Sequence, residues 1–166
     1  MDVNLAPLLL EQAKLDARIN REHQVTHQST KTERFLALLV EIGELANATR
    51  AFKYWSLKLS EDRAILLDEY ADGLHFFLSL ALVFNIDVTT VSYRASGTSK
   101  ADVVALFKKA YTTIVDFMKD ETSVSYFLAL KTFLTLGSAL QFSSDDITAA
   151  YRAKLVVNYE RQNTKY

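Results

Sequence analysis

The sequence predicts an all-α fold: a single domain over residues 1–166, arranged as a bundle of about six helices. Apolar residues recur at three-and-four spacing through almost the whole chain, the pattern of amphipathic helices. Breakers are sparse, with 4 glycines and 1 proline. Only Val88 to Tyr93 alternates, weakly, in the manner of a strand.

The first helix is expected over Ala6 to Glu22, with Leu8, Leu15 and Ile19 on one face and Pro7 in the opening turn, where it is tolerated. A polar loop follows, Thr26 to Ser29. Thr30 and Glu33 are spaced as a capping box, and Phe35, Leu38, Leu39, Ile42, Leu45 and Phe52 carry the second helix to an end near Trp55. The short connector SLKLS leads to a third helix with Ser60 as N-cap, in which Ile65, Leu66, Tyr70, Leu74, Phe77, Leu78 and Ala81 recur until Asn85 and Asp87. Val88 to Tyr93 has no evident strand partner and reads as a connector. Beyond Gly97, helices are expected at Lys100 to Lys119, Ser123 to Gln141 and Asp145 to Arg161, the last capped by Ser143 or Ser144.

Composition narrows the function. Lysine plus arginine (19) nearly balances aspartate plus glutamate (20), with no basic stripe, so no nucleic-acid partner is expected. There is no cysteine, which removes disulfides and thiolate chemistry and fits a cytoplasmic setting. The longest apolar run, Leu74 to Phe84, is about half of the roughly 20 residues that cross a bilayer, so no membrane partner is expected.

Four acids stand out. Glu41 and Glu44 are three apart in EIGE, Glu69 and Asp72 are three apart in EYAD, and each pair projects from one side of its helix. In an antiparallel hairpin the four positions are centred on residues 56–57, at the predicted turn, so all four carboxylates reach one level. That level is expected roughly 20 Å along the hairpin from the turn. No lysine or arginine lies three or four residues from any of them, which argues against salt-bridge ladders on a wet face. Two carboxylates about 4 Å apart repel by roughly 4 kcal/mol at an effective dielectric near 20, so a cation is expected among them. All-oxygen ligation together with phosphate oxygens suits Mg²⁺, two or more ions, and the chemistry expected is phosphoanhydride hydrolysis.

EIGELANATRAFKYWS followed by DEYADGLHFFLSLAL resembles the metal-binding core of the dimeric all-α dUTP diphosphatases, within the MazG-like pyrophosphohydrolases. The resemblance implies Mg²⁺ ligation by Glu41, Glu44, Glu69 and Asp72, hydrolysis of dUTP and dUDP to dUMP, nucleotide-pool sanitation, and a homodimer. It also implies that one ligating glutamate, assigned here as Glu44, positions the attacking water.

The last helix places Tyr151, Lys154, Asn158, Arg161 and Gln162 on one stripe, which suits either a solvated face or a polyphosphate. Its spacing resembles the family's C-terminal motif, which implies that Lys154, Asn158, Arg161 and a terminal tyrosine, Tyr166, close over phosphates. Trp55, His75 and Phe76 offer flat surfaces for a base, and the resemblance implies that Gln12 and Asp16 on the first helix read the uracil edge. His75 as a metal ligand is the weaker reading beside a core or pocket-wall histidine. Two alternatives stand beside dUTP hydrolysis: a MazG-like enzyme acting on dCTP or on many nucleotides, and a non-enzymatic helical interaction module.

Overall fold

A computed structural model describes residues 1–164 and is all-α apart from one small sheet. The elements in order are β1 (Asp2–Asn4), α1 (Ala6–His23), α2 (Lys31–Thr49), α3 (Arg63–Val83), β2 (Thr90–Ser92), α4 (Lys100–Asp120), α5 (Ser123–Ala139) and α6 (Ser144–Thr164).

α3 is the axis of the bundle. Its apolar residues run around the whole helix rather than along one stripe, and Leu74, Phe77, Leu78, Leu80 and Ala81 are all fully buried. Neighbours therefore cover it on several sides: α2, α6, α1 and α5 all pack on it. α2 runs antiparallel to it, because the Arg34 side chain meets Ser79, Ile42 lies against Gly73, and the Ala48 carbonyl accepts from Glu61 N–H. α4 and α5 form a second hairpin, each opening with a capping box, Ser99 with Asp102 and Thr122 with Ser125. α5 approaches α3 closely at Gly137, where a Cβ would sit 2.6 Å from the Tyr70 hydroxyl, and Tyr70 stacks on Phe133 at 4.2 Å.

Several boundaries differ from the sequence expectation. Val88 to Tyr93 is not only a connector, since Thr90–Ser92 pairs antiparallel with Asp2–Asn4, Val3 facing Val91 with both buried. The partner is three residues long and about ninety positions away, too short to show alternation of its own. α2 stops at Thr49, six residues before Trp55, because Arg50 takes the left-handed conformation (φ 55°) that terminates helices. α3 opens at Arg63 behind Asp62 rather than behind Ser60. Thr30 makes no capping box, because its hydroxyl donates to the Thr26 carbonyl and accepts from Arg34 Nε. At α6 the expected cap is present: Ser143 Oγ accepts from Asp146 N–H at 3.1 Å, and Asp146 Oδ2 accepts from Ser143 N–H at 2.8 Å.

Candidate active site

The irregular segment between α2 and α3 is longer than SLKLS, by six residues on the α2 side and two on the α3 side. Helix ends at Thr49 and Arg63 keep the hairpin centred on residue 56, so the EIGE and EYAD turns still face each other. The depth is less than expected. Glu44 lies five residues before the end of α2, about 8 Å at the helical rise, rather than 20 Å.

Glu41, Glu69 and Asp72 each bring a carboxylate oxygen within 4.8 Å of the others. Burial first, then Asp72, Glu44 and Glu69, push the Glu41 carboxyl up to about 7. Burial and the charges of Glu44 and Asp72 raise Glu69 as well, so Glu44, outside the close triple, acts on the same space. Asp72 is raised by burial against the opposing pull of Lys154. Lys154, only 5% exposed, places Nζ 2.6 Å from Asp72 and 2.7 Å from Asp68. Burial opposes its charge, but the hydrogen bonds to Asp68 and Asp72 win, and its ammonium is held above the ordinary lysine value.

Lys154, with the further pull of Arg161 on Asp72, is outnumbered by these acids. The donor set, all hard carboxylate oxygen, fits Mg²⁺, whose opposite ligands stand about 4.2 Å apart at bond lengths near 2.1 Å. The three carboxylate oxygens, all within 4.8 Å of one another, are close to the separations such a shell allows.

The carboxylates form one end of a cleft of about 490 Å³ between α1, α2, α3 and α6. Its other end is a buried polar network. Gln12 donates from Nε2 to Asp16 Oδ1 (2.8 Å), while its Oε1 faces His75 Nδ1 (2.7 Å) and accepts from the Tyr151 hydroxyl (2.8 Å). Asp16 Oδ2 accepts from Ser79 Oγ (2.6 Å) and Arg34 (2.9 Å) and lies 3.0 Å from His27 Nε2. Arg34 and Glu41 are seven residues apart on one face of α2, so the two ends are separated by about 10 Å.

Most of the sequence-predicted residues converge here. Gln12, Asp16, Glu41, Glu44, Asp72, His75, Phe76, Asn158 and Arg161 line the cleft, and Glu69 joins through the carboxylate triple. Trp55, Tyr151 and Lys154 sit otherwise than the sequence reading expects. Trp55 is 64% exposed in the loop after α2 and does not line the cleft. Tyr151 is fully buried, stacked on His75 at 4.0 Å, with its hydroxyl on Gln12 and the Leu8 carbonyl rather than on the phosphate side. His75 is a wall of the polar end rather than a metal ligand: burial lowers its pKa to about 4, and its nitrogens face Gln12 and the Tyr151 carbonyl. Lys154, expected at phosphates, is engaged by Asp68 and Asp72. Tyr166 lies outside the described residues.

Sequence reasoning missed Arg34, Ser79 and Asp68. Arg34 had a signal, since it interrupts the apolar face of α2 one heptad before Glu41. Asp68 had one too, at i−4 from Asp72. Ser79 had none.

No curated protein matches the chain. A family model for dUTPase matches residues 4–166. A non-enzymatic module is thereby set aside: this all-α chain belongs to the dUTPase family, and is a nucleoside triphosphate pyrophosphohydrolase of the dUTP diphosphatase type.

Proposed function

We propose that the cleft hydrolyses dUTP, and also dUDP, to dUMP in a Mg²⁺-dependent reaction that removes dUTP from the nucleotide pool. The observation that carries this reading is the two-ended cleft, with an oxygen-rich anionic end and a neutral hydrogen-bonding end about 10 Å apart. A polyphosphate suits the first only with cations present, and a base edge suits the second.

Glu41, Glu44, Glu69 and Asp72 would hold two or more Mg²⁺ ions, which when bound neutralise polyphosphate charge and lower the pKa of water. The chain's own residues do the rest. Asn158 and Arg161 bind phosphate oxygens from α6, and Lys154 keeps Asp72 in place. Gln12, fixed by Asp16, meets the uracil edge, with His75 and Phe76 beside the ring. Glu44, outside the close triple, orients the attacking water and takes its proton. A homodimer belongs to this reading, supported by the exposed Tyr54, Trp55, Leu57 and Leu59 after α2. So does a cytoplasmic setting, supported by the cysteine-free sequence.

The test is release of dUMP from dUTP with and without Mg²⁺, beside dUDP, dCTP, dTTP and UTP, for the natural chain, Glu41→Gln and Glu44→Gln. Fast turnover should need Mg²⁺ and favour dUTP. Glu44→Gln should still bind nucleotide yet lose about a hundredfold or more in turnover. Equal rates on all nucleotides would replace dUTP selectivity with a broad MazG-like activity, and near-normal turnover by Glu44→Gln would remove it as the base.

A further inference from the structure

Away from the cleft, α4, α5 and the chain leaving β2 line a second, open pocket of about 500 Å³. It shares no lining residue with the cleft and matches it in volume, within the roughly 300–1,000 Å³ usual for small-molecule sites. Its charge is the opposite. Arg94, Lys109 and Lys131 line it, and none of its nine lining residues is acidic.

These three cations make no ion pair among the described residues. Elsewhere on the surface Arg18, Lys31, Arg63 and Arg152 each bond a carboxylate. Three unpaired positive charges around one concavity repel one another, and an anion between them removes that repulsion. Asp2, opposite Ser92 in the sheet, accepts from the Ser92 hydroxyl at 2.5 Å and borders the pocket without lining it.

The rest of the lining is not that of a simple ion site. Leu106 and a half-exposed Leu128 give it apolar wall. Tyr93 borders it as well, and its buried hydroxyl has no hydrogen-bond partner among the described residues, an uncommon state for a buried donor.

We propose that this cavity is a second ligand site, separate from the hydrolytic cleft, that takes a small organic phosphate. The phosphate sits among Arg94, Lys109 and Lys131, and the organic body lies against Leu106 and Leu128. Arginine supplies the forked donor and the lysines supply point charges, a combination suited to phosphate oxygens.

The test does not depend on turnover or on metal. The ¹⁵N-labelled full chain is titrated in chelator with AMP, whose base lacks the uracil edge, and separately with inorganic phosphate, while amide shifts are followed by NMR. Saturable shifts are expected at residues 92–94, 106–109 and 128–135, with AMP binding more tightly than inorganic phosphate. The Lys109→Ala/Lys131→Ala variant should weaken that binding by about tenfold or more, as loss of charge-assisted hydrogen bonds requires. Lys119→Ala, an exposed lysine of α4 outside the cavity, should leave binding unchanged. Both lysines removed are exposed, and unchanged dUTP turnover by the double variant would verify its fold. Shifts confined to the cleft, or cavity shifts that the double variant retains, would overturn the site. Equal affinity for AMP and inorganic phosphate would overturn its organic selectivity.

Discussion

The pKa values of Glu41 and His75 are shifted in opposite directions. The folded-state pKa of Glu41 is raised to about 7, so the folded protein holds a proton that the unfolded chain releases. Its contribution is present below the ordinary carboxyl value and is lost as pH rises through 7. In chelator, Glu41→Gln should therefore stabilise the protein at pH 8 and give less advantage at pH 5, read from urea unfolding at both values. A constant difference across that range would mean that neither burial nor the neighbouring carboxylates hold the proton on Glu41. For His75 the folded pKa is lowered to about 4, so its contribution is present above the ordinary value of 6.5 and is lost as pH falls toward 4. That loss is on the order of 2 kcal/mol between pH 7 and pH 5, and His75→Gln should flatten the acid limb accordingly. Arg34 is a third case. It is a buried cation bonded to buried Asp16, and Arg34→Met would leave that carboxylate uncompensated at a cost of about 3–5 kcal/mol. Equilibrium unfolding measures the cost, and a rise in KM for dUTP would show that Gln12 has lost its orientation.

Spacing within a helix was the part of the site most legible from sequence. EIGE and EYAD each fix two side chains on one face, and that requires nothing beyond the helical period. Their mutual level was also legible, because α2 and α3 are consecutive and antiparallel, and the unequal shifts of the two helix ends move the centre of the turn by only about two residues, onto residue 56. Helix ends were less legible. Phe52 continues the period of α2, yet Arg50 turns left-handed, and Phe52, Tyr54 and Trp55 form their own edge-to-face cluster outside the helix. Contacts between distant helices were not legible from spacing at all: Arg34 with Asp16, Lys154 with Asp68 and Asp72, and β1 with β2 each join segments whose separation carries no period. At this scale Gly137 is the informative position. A methyl there would meet the Tyr70 hydroxyl at 2.6 Å and its ring at 2.8 Å, so α5 and α3 would have to part. Gly137→Ala should cost about 1–3 kcal/mol and should lower turnover, because Tyr70 adjoins Glu69 on α3. Tyr70→Phe should restore part of the stability by removing the hydroxyl, and no restoration would place the strain elsewhere.

For the molecule as a whole, the central hairpin carries two opposed demands. α3 must be apolar all round to serve as the axis of the bundle, yet its Glu69 and Asp72, with Glu41 and Glu44 across the groove, concentrate negative charge beside that core. Lys154 offsets part of that charge, and it does so from α6, the last helix, which ties the end of the chain to the middle. Under the proposed function the remainder is neutralised by Mg²⁺, and a cation bound only by the folded protein must raise global stability. The size follows from occupancy: at a hundred times the dissociation constant, one site adds about 2.7 kcal/mol. Thermal unfolding of the natural chain should therefore shift upward with Mg²⁺ and level off only logarithmically, with little response to the same ionic strength of sodium. Glu69→Gln should start from a more stable metal-free state, having lost a buried charge that its neighbours repel, and should respond less to Mg²⁺. This crossing of the two effects separates a metal site from a merely crowded surface, because crowding alone predicts the first change without the second. A natural chain whose unfolding is indifferent to Mg²⁺ would remove the ions from the proposed function and leave Lys154 as the counter-charge that the carboxylates use.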